Sequence, residues 1–249
     1  TVSVTSDSGT GASLLANTTA SDNTAVGYNS LASNTTGADN VAIGSFSLDG
    51  NTTASGITAV GKSALGANTT GNYNVAVGYQ ALDANTTGLT NSAVGYDALS
   101  ACTTGEKNCA LGSFALEALT TGEDNVAIGH DCQENNVTGS QNIALGTRTM
   151  HTNTSADRNV AVGHEALFTL NVNMDSFNTA VGYQAGYAST TGYFNTFLGG
   201  EAGKAHTTGI ENTAVGLSAF TSATTASNCV CVGKDAGISI TTGGGNTLV

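Results

Sequence analysis

The stretch Asn74-Val75-Ala76-Val77-Gly78-Tyr79-Gln80-Ala81-Leu82-Asp83-Ala84-Asn85-Thr86-Thr87-Gly88-Leu89-Thr90 is followed at once by Asn91-Ser92-Ala93-Val94-Gly95-Tyr96-Asp97-Ala98-Leu99, a near copy displaced by 17 residues. The frame extends in both directions. Taking the glycine after each short aliphatic run as reference, Gly27, Gly44, Gly61, Gly78, Gly95, Gly112, Gly129, Gly146, Gly163, Gly182, Gly199, Gly216 and Gly233 follow one another in steps of 17, except for one step of 19 from Gly163 to Gly182. Leu14 and Asn17-Thr18-Thr19 align with Leu31 and Asn34-Thr35-Thr36 as an incomplete first unit. The domain reading is a lead-in at 1–11 and one continuous repeat domain at 12–249. A short unit repeated this regularly cannot bury an apolar face alone, so it must stack on its neighbours as a solenoid.

Columns of equivalent positions carry the physics. Before each reference glycine stands an aliphatic residue: Val26, Ile43, Val60, Val77, Val94, Leu111, Ile128, Leu145, Val162, Val181, Leu198, Val215 and Val232. Two places earlier stands Thr, Val, Ile, Ser or Cys, which shares the same face of a strand. These aliphatic residues are predicted to form the core ladder. Between them lies alanine in most units (Ala25, Ala42, Ala59, Ala76, Ala93, Ala110, Ala127, Ala144, Ala161, Ala180 and Ala214), with Phe197 and Cys231 as exceptions. On this reading alanine faces outward and marks a close association face.

After the glycine come a variable pair, then a small residue and usually Leu, as in Ala64-Leu65 and Ala98-Leu99, predicted as a second short strand. Gly replaces that Leu at Gly186, Gly203 and Gly237, where the coil is expected to be thinner. Asn-Thr-Thr-Gly closes the unit as a corner, since Asn and Gly tolerate φ > 0. An Asn opens each strand, and Asn23, Asn40, Asn74, Asn91, Asn108, Asn125, Asn142, Asn159, Asn178, Asn195 and Asn212 are predicted to stack as an amide ladder. The 19-residue unit is expected to bulge an apolar loop outward through Phe168, Leu170, Val172, Met174 and Phe177.

The predicted fold class is therefore all-β: a β-solenoid, a parallel β-roll, of about fourteen 17-residue coils with two short strands per coil. An apolar period of 2 and frequent Gly, Asn and Thr argue against helix.

Composition narrows the partners. The 249 residues include no Pro, no Trp and 33 Gly, with 10% charged residues and a net charge of −12 from 6 Lys plus Arg against 18 Asp plus Glu. No basic stripe exists to neutralise phosphates, which argues against nucleic acid and anionic membrane surfaces. No apolar run approaches the ~20 residues of a membrane helix, so membrane insertion is not expected. Cys102, Cys109, Cys132, Cys229 and Cys231 occupy different columns and read as small packing residues. The chain begins at Thr1 and stops at Asn246-Thr247-Leu248-Val249 before the next glycine, which suggests a fragment of a longer fibre or a subunit stacked end to end.

Asn40-Val41-Ala42-Ile43-Gly44 and Asn125-Val126-Ala127-Ile128-Gly129, with the Ala-Leu and Asn-Thr-Thr-Gly that accompany such runs, resemble the head repeats (Hep/Hag-like) of trimeric autotransporter adhesins. Similar units occur in phage tail fibres. The resemblance implies a left-handed β-roll, a homotrimer and attachment to host surfaces through a receptor or glycan, with an extracellular, cell-surface or virion location.

The functional expectation is a structural or adhesive fibre segment, without catalysis and without cofactors. Four His and scattered carboxylates supply no non-repeating catalytic constellation. His130 and His164 lie two coils apart, too far to share a metal directly. Asp22, Asp39, Asp124 and Glu211 precede strand Asn residues, so incidental calcium at a corner is the one ion the acidic charge favours. Two competing readings are an ice-binding solenoid using stacked Thr, weakened because adjacent Thr such as Thr69-Thr70 point to opposite faces, and a carbohydrate-binding flank formed by Tyr28, Tyr79, Tyr96 and Tyr183.

Overall fold

The computed structural model describes residues 13–249, so the lead-in at 1–11 lies outside the described residues. The fold is an all-β parallel solenoid of fourteen short strands and no helix among the described residues, hence none able to cross a membrane. It comprises two compact units, the first ending at Asp124 and the second beginning at Asn125. The first holds β1 (Thr24–Val26), β2 (Val41–Ile43), β3 (Thr58–Val60), β4 (Val75–Val77), β5 (Ser92–Val94) and β6 (Cys109–Leu111). The second holds β7 (Val126–Ile128), β8 (Ile143–Leu145), β9 (Val160–Val162), β10 (Thr179–Val181), β11 (Thr196–Leu198), β12 (Thr213–Val215), β13 (Val230–Val232) and β14 (Thr247–Leu248). Within each unit equivalent residues are paired in parallel register: Ala59 opposes Ala76, Val60 opposes Val77, and across the longer unit Ala161 opposes Ala180.

The two faces of the strands are reversed relative to the prediction. Ala25, Ala42, Ala59, Ala76, Ala93 and Ala110 in the first unit, and Ala127, Ala144, Ala161, Ala180 and Ala214 in the second, are fully buried inside the coil rather than on an outer association face. Val26, Ile43, Val60, Val77, Val94 and Leu111, and likewise Ile128, Leu145, Val162, Val181, Leu198, Val215 and Val232, are half-exposed or exposed instead of forming the core. Two physical causes fix this parity. The strand-opening Asn lies two residues before Ala and so shares its face, and its amide finds its partners only inside the coil. The coil is also narrow: Leu side chains reach in from the opposite limb, leaving room for only a methyl group under the strand.

The exceptions to the alanine column demonstrate that size limit. Phe197 is fully buried, and the Leu positions around it are Gly186 and Gly203. A Cβ on Gly203 would lie 2.5 Å from the Phe197 ring, and one on Gly186 would lie 2.8 Å from it. Cys231 repeats the pattern on a smaller scale, with its sulfur 2.5 Å from a Cβ placed on Gly237. Large-in-strand is matched by small-in-opposite-limb, so the coil is not thinner at these glycines but filled from the other side.

The limb after the glycine is not a second strand, so each coil has one strand, not two. Its residues alternate in the sign of φ: in one coil Gly78 is at +142°, Gln80 at +52° and Leu82 at +55°, and the corresponding residues of other coils repeat these values. Along this limb the direction of donation changes once, from the preceding coil at Gly78 and Gln80 to the following coil at Leu82 and Ala84. Gln80 N–H donates to Lys62 in the preceding coil and Leu82 N–H to Ala98 in the following one. A non-glycine residue at positive φ costs roughly 1–2 kcal/mol, tolerated here because the buried Leu and its inter-coil hydrogen bonds over-determine the conformation.

The third limb buries every third residue, as in Asn34, Gly37 and Asn40. Two amide ladders bracket it. In the strand-opening ladder Asn91 Oδ1 accepts from Asn108 N at 2.9 Å while Asn91 Nδ2 donates to Gly105 O at 2.8 Å, and Asn178, Asn195 and Asn212 repeat the scheme. In the corner ladder Asn51 Nδ2 donates to Asn34 Oδ1 at 2.9 Å and Asn85 Nδ2 to Asn68 Oδ1 at 2.8 Å. In the 19-residue unit the apolar residues divide, with Leu170 and Val172 turned inward and Met174 and Phe177 outward. Asp175 forms an ion pair with Arg158.

Candidate functional site

Once alanine is placed inside, the outward strand face becomes a regular surface of each unit. In the first unit it consists of Thr24, Val41, Thr58, Val75, Ser92 and Cys109 beside Val26, Ile43, Val60, Val77, Val94 and Leu111. Residues within a row are ~6.6 Å apart along the strand and rows are ~4.8 Å apart. The second unit presents the same two columns, from Val126 and Ile128 onward. No position in either array is charged, and the aliphatic column is genuinely accessible, with Leu111 46% and Ile128 38% exposed. Contiguous exposed apolar surface of this kind is uncommon on a monomer and marks an interaction surface.

Aromatic residues flank the array across the glycine corner. Tyr79 and Tyr96 stack at 5.4 Å with nearly parallel rings, and Lys62 lies 5.7 Å from the Tyr79 centroid. In the second unit His164 stacks on Tyr183 at 5.7 Å. Tyr rings stacked on one another show their edges more than their faces to solvent, which reduces the area open to a sugar ring.

One threonine column is already engaged. Thr35, Thr52, Thr69, Thr86 and Thr103 each donate a hydroxyl to the carbonyl of the equivalent Thr in the next coil, at 2.9–3.2 Å. In the pairs from Thr35-Thr36 to Thr103-Thr104 the second Thr, such as Thr70 or Thr87, is the exposed one. The corner asparagines Asn34, Asn51, Asn68, Asn85, Asn136 and Asn153 each begin an Asn-x-Thr or Asn-x-Ser glycosylation sequon, but all six are fully buried, so the folded coil has no room for sugar there.

No protein-family model, curated protein or solved structure matches this chain.

Titratable groups cluster in the column that follows Leu. Asp49 and Asp83 both lean toward the space beside Gly66, where a Cβ would meet Asp83 Oδ1 at 2.7 Å and Asp49 Oδ1 at 3.4 Å. Burial raises both carboxyls above their ordinary range, and mutual repulsion adds to the rise at Asp49. In the second unit Glu165 is nearly buried and held by Arg148 at 2.9 Å and Gln184 at 2.8 Å. His206 replaces a corner Asn, fully buried between Phe197, Ser189 and Asn212, and burial depresses its pKa to about 4.

Asp22, Asp39, Asp124 and Glu211, the corner acids considered for calcium, are all exposed. Among the described residues one group of three potential metal ligands converges, Asp131, Glu134 and His151, with all donor atoms within 4.8 Å of one another. The sequence reading weighed His130 and His164 instead and missed this trio, although Glu134 and His151 are 17 residues apart. The five cysteines are free, and all but Cys109 are buried. Burial pushes the Cys102 thiol up to about 11 and the Cys132 thiol to about 12, which keeps both unreactive at neutral pH.

Proposed function

We propose that the chain is a non-catalytic structural segment of an extracellular assembly on a cell surface or virion, in which copies of the chain associate through the outward strand face. The observation that carries this reading is the uncharged array of Val, Ile, Leu and Thr repeated in every coil. Burying it against an identical face excludes water from aliphatic side chains at roughly 25 cal/mol per Å². The adhesin-like repeat suggests three copies, and in that setting the segment serves as a spacer or as an attachment surface for a host receptor or glycan. With the first Thr of each corner pair bonded to the next coil, only the second turns outward at the corner, one hydroxyl per coil instead of a paired array, which favours this reading over ice binding.

Sedimentation equilibrium on the purified chain tests it. A trimer mass is expected, falling to a monomer in Val60→Lys/Val94→Lys and in Ile128→Lys/Val181→Lys while the circular dichroism stays unchanged. A wild-type chain that remains monomeric at high concentration would refute the proposal, and thermal hysteresis in the same sample would redirect it to ice binding.

A further inference from the structure

We propose that Asp131, Glu134 and His151 form a binding site for one divalent transition-metal ion, clipping two successive coils of the second unit together. Asp131 and Glu134 come from one coil and His151 from the next. Glu134 Oε2 lies 2.8 Å from His151 Nε2, and the side chains of Asp131, Glu134 and His151 are 19%, 29% and 21% exposed. They are sheltered, yet still open to an entering ion. Because Glu134 and His151 occupy the same column, coil stacking alone holds them face to face. The imidazole plane is set by Phe168, whose ring stacks on it at 5.2 Å and 11°.

Local charge fits a cation. The carboxylates of Asp131 and Glu134 face imidazoles, His130 at 3.0 Å and His151 at 2.8 Å. Arg148 occupies the column of Asp131 one coil on, but its guanidinium is bonded to Glu165 at 2.9 Å and lies 4.7 Å from the centre of the Phe168 ring. The paired acids Asp49 and Asp83 bring no nitrogen ligand, whereas this trio mixes imidazole with carboxylate, the donor set of zinc and its first-row neighbours rather than of calcium. Three protein ligands at ~2.0–2.2 Å would leave a fourth position to water. His151 Nδ1 is buried without a hydrogen-bond partner, so the second-shell acceptor that usually strengthens a metal-bound imidazole is missing. The expected affinity is therefore micromolar, not nanomolar.

The test is calorimetric titration of the EDTA-treated full chain with ZnCl2, in parallel with CaCl2. One zinc per chain is expected, with affinity at least ~10-fold weaker in His151→Gln and in Glu134→Gln, and unchanged in His164→Gln. Saturating zinc should raise the wild-type melting temperature by ~5 °C and leave that of His151→Gln where it is. The proposal is overturned by no saturable uptake, by equal zinc affinity in both ligand variants, or by calcium binding as tightly as zinc and indifferent to His151→Gln.

Discussion

Phe197→Ala should cost about 3–5 kcal/mol, the usual loss for a large aromatic removed from a core that cannot collapse. Collapse is barred here because the facing positions are Gly186 and Gly203, which have no side chains to move into the void. Gly203→Leu alone should also destabilise. Its Cβ would sit 2.5 Å from Cδ1 and Cε1 of Phe197, against an optimum of ~3.5–4.0 Å between carbons. Overpacking adds about 1–3 kcal/mol, and left-handed backbone with a side chain adds roughly 1 more. Combining Phe197→Ala with Gly186→Leu and Gly203→Leu rebuilds the arrangement of other coils, where Leu82 and Leu99 take the same backbone at φ +55° and +53° over Ala76 and Ala93. The triple variant should return to within about 2 kcal/mol of wild type, a coupling far outside additivity. Urea unfolding would be read together with hydrogen exchange on β10, β11 and β12, because repeat proteins open locally. Losses in the triple variant equal to the sum of the single losses would refute the size-matching argument.

Three further outcomes follow from particular contacts. Asn91→Ala strips a buried N–H of Asn108 and a buried carbonyl of Gly105 of their Asn91 partner, so about 2–5 kcal/mol should be lost in urea unfolding, while exposed Thr87→Ala should change stability by less than about 0.5 kcal/mol. His206 has a folded pKa of about 4 against an ordinary 6.5. Its unfolded form takes up a proton first as pH falls, so stability present above pH 6.5 should decline by up to about 3 kcal/mol toward pH 4; melting curves of His206→Asn should lack that decline. Asp83 has the opposite sign: burial raises its pKa, so its charged form opposes folding at neutral pH and stability recovers as pH falls through the folded pKa toward 3.8. Asp83→Asn should therefore melt higher than wild type at pH 7, and a lower melting point would contradict the burial argument.

The period and the parallel stacking in register were legible because equivalent columns repeat within a single sequence. The face of the strand was misread because hydrophobicity was allowed to outvote size. Val77 is more apolar than Ala76, but the interior under a three-residue strand accommodates only the smaller side chain, and Asn74 already shared the parity of Ala76. The second limb looked like a strand because Ala81-Leu82 is apolar. Its alternating left-handed backbone left one trace, the Gly substituted for Leu at Gly186, Gly203 and Gly237, beside the two strand positions where Phe197 and Cys231 are oversized. The Asp131, Glu134 and His151 cluster was hidden because it joins two columns across coils, and only the actual fold of the limb after the glycine brings them together.

Disulfide trapping at Val60 and Val77 offers the most direct check on the stacking and on which strand face looks outward. With Cys109 changed to Ser and the buried thiols left in place, Val60→Cys/Val77→Cys puts two thiols on adjacent strands in the register of β3 and β4. Their Cα atoms should be ~4.8 Å apart, inside the 4.4–6.8 Å range that a disulfide spans. In the Ile128→Lys/Val181→Lys background, where no partner copy covers the face, mild oxidation should crosslink this pair rapidly within one chain, while the reduced thiols label readily. Thiols at Val60 and Val77 that resist both labelling and crosslinking would place the aliphatic column inside the coil, and labelling without crosslinking would show that the coils do not stack at 17-residue register.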